Sequence, residues 1–218
     1  MLAALPSLSV SWVDLFVVGI LVVGVFRGRK RGMSEELLDI IKWTLIVGLA
    51  GVLYEPGGRW LAHFSVFSPL FSNVFAYVIV ALLIYSTFVF LKNKLGEKLV
   101  GSDVFGRAEY YLGMAAGAYR YLCILLFAMA FLNARHYDAS EIVEKDKYQD
   151  QNFGTKLIPT VPDVQKEVFD RSFTGRVVHD YLNVVLIRPT AASDAGLGGE
   201  NSLYRQREKA VDQILDRK

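Results

Sequence analysis

The chain is short of charge and of cysteine, and each shortage excludes something. Only 21% of its 218 residues are charged, against about 25% in a soluble domain. The net charge is +2, so no nucleic acid or other polyanionic partner is expected. A single cysteine, Cys123, allows no intramolecular disulfide and no cysteine metal cage. It lies in an apolar run and reads as a small apolar side chain. The three histidines, His63, His136 and His179, stand far apart, with no His-x-Glu or Glu-x-x-His pattern, so no metal site is expected. No Gly-x-Ser-x-Gly is present. Gly196-x-Gly198-Gly199 lacks the strand and helix that a phosphate-cradling loop needs. Neither a cofactor nor an enzymatic activity is therefore expected.

What the chain has instead is apolar length. Hydrophobic residues make up 53%, and the mean hydropathy is +0.31. Residues 70–91 contain no charged side chain, and a helix of that length crosses a hydrocarbon core of roughly 30 Å. Three more apolar runs cover about 8–26, 37–54 and 114–132. A helix satisfies its backbone internally, which is the condition for crossing lipid. The fold class is thus an all-α integral membrane protein: a four-helix transmembrane domain over 1–132, followed by a mostly helical extramembrane tail. The first run has no Lys or Arg before it and a basic cluster after it, Arg27, Arg29, Lys30 and Arg31. That is the reverse of a signal peptide and predicts an uncleaved first span. Glu55-Pro56-Gly57-Gly58 reads as the stop of the second.

Lys and Arg in short loops orient such a bundle. The first loop carries the four cations just named, and the third carries Lys92, Lys94, Lys98 and Arg107. The second carries only Arg59. Both termini are therefore expected outside the cytoplasm, in the periplasm. Trp12, Tyr54, Trp60 and Tyr110 fall near the interfaces, where an aromatic belt belongs.

Beyond residue 132 the composition changes. The stretch 135–151 is polar. Residues 161–182 predict one amphipathic helix, with Val164, Val168, Val177, Tyr181 and Leu182 at helical spacing and Asp163 and Glu167 at its positive end. A short apolar finish, 183–187, stops at Pro189. Residues 190–201, rich in Ala, Gly and Ser, form a linker, and 202–217 a short charged helix. The extramembrane tail is thus 133–189, with 190–218 beyond it.

Few polar residues stand inside the spans, and those few are the candidates for a site. Arg120 lies about six residues into the fourth span. An unpaired arginine in lipid costs at least about 2.5 kcal/mol, so it should face protein or water. Asp39, Glu36 or Asp14 could serve as its counter-charge. Asp39 and Lys42 lie three residues apart, on one helical face where they can pair. The candidate intramembrane polar site is Asp14, Glu36, Asp39, Lys42 and Arg120. The alternatives are an arginine that only fixes the bundle or snorkels, and an Asp14 that only begins a helix at the interface. Gly113-x-x-x-Gly117 gives the fourth span a smooth face for close helix packing, with Gly48 and Gly51 as the expected partner surface.

Two blocks carry a resemblance. The first is Trp12-Val13-Asp14, then Arg31-Gly32-Met33-Ser34-Glu35-Glu36-Leu37, with Trp43 following. The second is Glu109-Tyr110-Tyr111-Leu112-Gly113-Met114-Ala115-Ala116-Gly117-Ala118-Tyr119-Arg120-Tyr121. Over roughly residues 10–135 the chain resembles the bacterial colicin V production protein family. That family has Asp-Arg where this chain has Glu109-Tyr110, and Gly where it has Tyr121. The resemblance implies a non-enzymatic inner-membrane protein, a scaffold or accessory in toxin production and export or in envelope maintenance. The alternative is a small oligomeric channel or transporter lined by Asp14, Asp39, Lys42 and Arg120. The partners expected are the lipid bilayer, a protein bound through the C-terminal tail, and a second copy of the chain.

Overall fold

A computed structural model of the chain describes residues 11–62, 68–99, 106–137, 142–143, 147 and 160–190. Among these, three helices are long and apolar enough to cross a membrane. They are α1 (Trp12–Ala62), α2 (Pro69–Leu99) and α3 (Glu109–Asn133). Two short helices follow, α4 (Val161–Lys166) and α5 (Phe173–Tyr181). Residues 12–26 of the first expected span and all of the second, 37–54, fall within the single 51-residue element α1; residues 8–10 lie outside the described residues.

That element is not one straight rod. Gly32 sits at φ 77°, ψ 169°, a backbone state that side-chain-bearing residues rarely adopt. The pairing with α3 runs in opposite senses on its two sides. Before Gly32, Gly24 faces Gly117 and Gly28 faces Gly113, an antiparallel register. After it, Glu36 meets Arg120 and Trp43 meets Phe127, a parallel one. The two arms of α1 therefore fold back on each other at Gly32. α2 then runs antiparallel to the second arm, through Lys42 with Tyr85, Tyr54 with Tyr77, and Gly58 with Asn73.

The expected stop at Glu55-Pro56-Gly57-Gly58 does not occur. α1 carries Pro56 in its interior and continues to Ala62. Proline removes one helical donor, but packed membrane helices tolerate this. Here Gly57 and Gly58 let the turn press against Ala76 and Asn73 of α2. α2 also outruns its expected end, so Lys92 and Lys94 lie on a helix rather than in a loop.

One buried cluster ties the bundle to the tail. Val17, Tyr54, Tyr77 and Ala130 of the long helices share it with Phe169, Val178, Leu186 and Ile187. Large apolar side chains such as Phe16, Val22, Leu82, Leu83 and Phe90 point outward, as they do on helices whose solvent is lipid.

The single amphipathic helix expected over 161–182 is broken. α4 passes through one wide, π-type turn at Glu167–Arg171, and the chain becomes extended at Ser172. The Ser172 hydroxyl donates to the Val168 carbonyl at 2.7 Å and accepts the Gly175 N–H at 2.9 Å, so a new helix, α5, begins. Most of the polar stretch 135–151, the expected linker after Thr190 and the charged helix at 202–217 lie outside the described residues.

Candidate functional site

Glu36, Asp39 and Lys42 recur every third residue on the second arm of α1, so they share one helical face. Arg120 of α3 reaches two of them across the parallel contact between α3 and the second arm. Its Nη1 lies 2.9 Å from Glu36 Oε2 and 3.2 Å from Asp39 Oδ2. Lys42 Nζ holds Asp39 Oδ1 at 2.6 Å. Arg31 Nη1 approaches Asp39 at 3.4 Å and Glu36 at 3.7 Å, and Lys92 Nζ from α2 stands 4.0 Å from Asp39. Four cations thus surround two carboxylates contributed by one helical face. The Glu36 side chain is 0% exposed and that of Arg120 6%. Arg120 also lies over the Tyr121 ring, 5.1 Å from its centroid.

Four of the five candidate polar residues therefore meet: Glu36, Asp39, Lys42 and Arg120. Asp14 does not. It lies at the start of α1, whereas the cluster lies next to the turn at Gly32. Its carboxylate accepts hydrogen bonds from the Thr174 N–H at 3.0 Å, the Thr174 hydroxyl at 2.8 Å and the Phe173 N–H at 3.1 Å. Those are orphan donors at the start of α5, and an acidic group there is favoured by both hydrogen bonding and the helix dipole. Beside it, the Ser11 hydroxyl donates to Glu167 Oε1 at 2.7 Å. As a counter-charge for Arg120, Asp14 is replaced by Glu36 and Asp39.

The tail is fastened elsewhere too, at Gln165, whose Nε2 donates to the Leu132 and Arg135 carbonyls at 3.1 and 2.8 Å, and near its end. Asn133 Nδ2 donates to the Ile187 carbonyl at 3.0 Å, and the Arg188 N–H donates to the Tyr54 hydroxyl at 3.0 Å. The start of the first arm, the end of the second and the end of α3 all hold the same segment.

Gly113 and Gly117 do line a close crossing, but Gly48 and Gly51 are not the partners. Open space lies beside Gly48, and Gly51 packs against Val184 and Val185 of the tail. The partner is the first arm. A Cβ on Gly28 would overlap the Gly113 carbonyl oxygen, and one on Gly24 would stand 2.9 Å from that of Gly117. The signal was in the sequence as glycines at 24, 28 and 32, four residues apart, which is small-residue spacing on one helix face.

Sequence reasoning also passed over Glu109. Its Oε1 accepts the Ser34 N–H at 2.6 Å, and its Oε2 accepts the Ser34 hydroxyl at 3.1 Å. It caps the second arm just where Gly32 has broken the backbone ladder.

The sequence model of the colicin V production protein family matches residues 13–147. The chain belongs to that family. The matched stretch contains the whole charge cluster, the glycine seam, Gly32 and Glu109; the docked segment 160–190 lies beyond it. No curated protein and no solved structure matches the chain. The colicin V production family is not known as an enzyme family, and this member is a multi-pass membrane protein. Cys123 is buried within the bundle, as a small apolar residue would be.

Proposed function

We propose that this protein is a non-enzymatic scaffold or accessory of the bacterial inner membrane, acting in colicin V production and export or in envelope maintenance. One observation carries the reading: the charged groups buried within the bundle are ion-paired with one another. Glu36 and Asp39 are neutralised by Arg120, Lys42, Arg31 and Lys92, and Asp14 is occupied by the tail. Groups committed in this way fasten helices. The working surface is then the docked tail, which is the expected site for a protein partner.

In this reading each arm of α1 crosses the membrane, which makes four spans with α2 and α3. The first arm, Trp12 to Arg31, has about 20 residues and so spans roughly 30 Å. The opposite registers on either side of Gly32 support this arrangement. The Gly32 turn faces the cytoplasm, and the N-terminus and tail face the periplasm. The support is the four cations at residues 27–31, against Arg59 alone near the opposite turn. Alkaline phosphatase fused after the C-terminus should be active, and fused after Lys94 inactive.

A channel formed by several copies is the second reading. Arg31 and Lys92, with side chains 36% and 47% exposed, extend the buried cluster to the surface of the chain. Ion flux in proteoliposomes of the pure protein separates the two. The scaffold predicts flux equal to empty vesicles. Flux above that of empty vesicles would establish the channel.

A further inference from the structure

We infer that the protein binds an anionic phospholipid headgroup in a groove between the first arm of α1 and the start of α3. The groove is an open cavity of about 680 Å³, lined by Phe26, Arg29 and Lys30 on one side and by Tyr110, Tyr111 and Met114 on the other. The glycine seam creates it. Gly28 faces Gly113 with no side chain between them, so the backbones close in and the residues flanking the seam form the two walls. Phe26, Arg29 and Lys30 recur at helical spacing, so one wall carries an aromatic ring and two cations.

The cations are what select the occupant. Arg31, their neighbour, is engaged with Glu36 and Asp39. Arg29 and Lys30 are exposed and have no ion-pair partner among the described residues. An arginine fork and a lysine ammonium side by side match a phosphodiester, the first by bidentate hydrogen bonds and the second as a point charge. The remaining wall is apolar and aromatic. Tyr111 is 76% exposed, Tyr110 62% and Phe26 61%. Rings of this kind settle at the headgroup level of a bilayer. They give the glycerol and the first carbons of an acyl chain a surface that a free phosphate would not use. Basic pockets between membrane helices take anionic headgroups on the same principle.

The test titrates the full chain, in neutral detergent, with dioctanoylphosphatidylglycerol and reads bound lipid by native mass spectrometry. Dioctanoylphosphatidylcholine and inorganic phosphate are the comparison ligands. The parent should retain phosphatidylglycerol at least about tenfold more tightly than phosphatidylcholine. Each surface-level cation is worth about fivefold in such binding, so Arg29→Gln with Lys30→Gln should weaken it by about 25-fold. Arg27→Gln removes a charge of the same cluster from outside the groove and should change it by less than about threefold. Tyr111→Ala should weaken lipid binding while leaving both cations in place. The altered side chains are all exposed, so melting temperatures in detergent should match the parent. Equal losses from Arg27→Gln and Arg29→Gln would overturn the proposal in favour of diffuse attraction. So would inorganic phosphate competing as strongly as the lipid.

Discussion

Arg120 and Glu36 form a buried ion pair at 2.9 Å between α3 and the second arm of α1. Asp39, the other carboxylate within reach of Arg120, has Lys42, Arg31 and Lys92 as well. Glu36 has Arg120 and only a distant Arg31. Removing Arg120 therefore orphans Glu36 more than Asp39. Breaking a buried pair from one side costs about 3–5 kcal/mol, while removing both partners costs far less. Arg120→Leu is expected to lower membrane abundance sharply. Adding Glu36→Gln should restore more of it than adding Asp39→Asn. Equal rescue by the two would contradict the pairing.

Two glycines, one on each arm of α1, should respond oppositely to one methyl group. Gly28→Ala forces a Cβ into the Gly113 carbonyl, and overpacking of this kind costs about 1–3 kcal/mol. Gly48→Ala meets open space and should be neutral or stabilising by up to about 1 kcal/mol. Thermal unfolding in detergent reads both. Equal melting temperatures would remove the case for the close seam.

The reversal at Gly32 rests on a remote carboxylate. Glu109→Ala leaves the Ser34 N–H at the start of the second arm without its acceptor, and loss of a cap costs about 0.5–2 kcal/mol. Glu109→Gln keeps an acceptor oxygen and should recover part of that stability. A Glu109→Ala variant as stable as the parent would show that the cap contributes nothing.

Asp14→Ala should release the tail without unfolding the bundle. It removes the acceptor for Phe173 and Thr174, but Tyr54 and Asn133 still hold residues 187–188. Hydrogen exchange should accelerate in α5 while α3 stays protected. Unchanged protection of α5 would mean that the hydrogen bonds to Asp14 do not fix it.

What the sequence made legible is what depends on local pattern. Apolar length identified the membrane helices, and three-residue spacing placed Asp39 beside Lys42. The cost of a lone arginine in lipid called for a carboxylate near Arg120, and Glu36 and Asp39 provide it. What stayed hidden depends on register between distant segments. Whether Gly113 and Gly117 face Gly48 or Gly28 is decided by how α1 folds at Gly32, and no local signal states a φ of 77°. Asp14 read as a site residue because it is a carboxylate in an apolar span; its partners lie about 160 positions away, at Thr174. Pro56 read as a stop because its local cost is real, whereas the α2 surface that offsets it is not local.

On the proposed scaffold reading, the buried charges hold the bundle together and carry nothing through it. The most direct test is colicin V release by cells whose only copy is the Arg120→Leu, Glu36→Gln double variant, measured per molecule inserted in the membrane. Release is expected to equal that of the parent, because the pair is removed as a unit and the tail surface is untouched. A double variant as abundant and as thermally stable as the parent, yet releasing no toxin, would contradict it and make the charge cluster a working site.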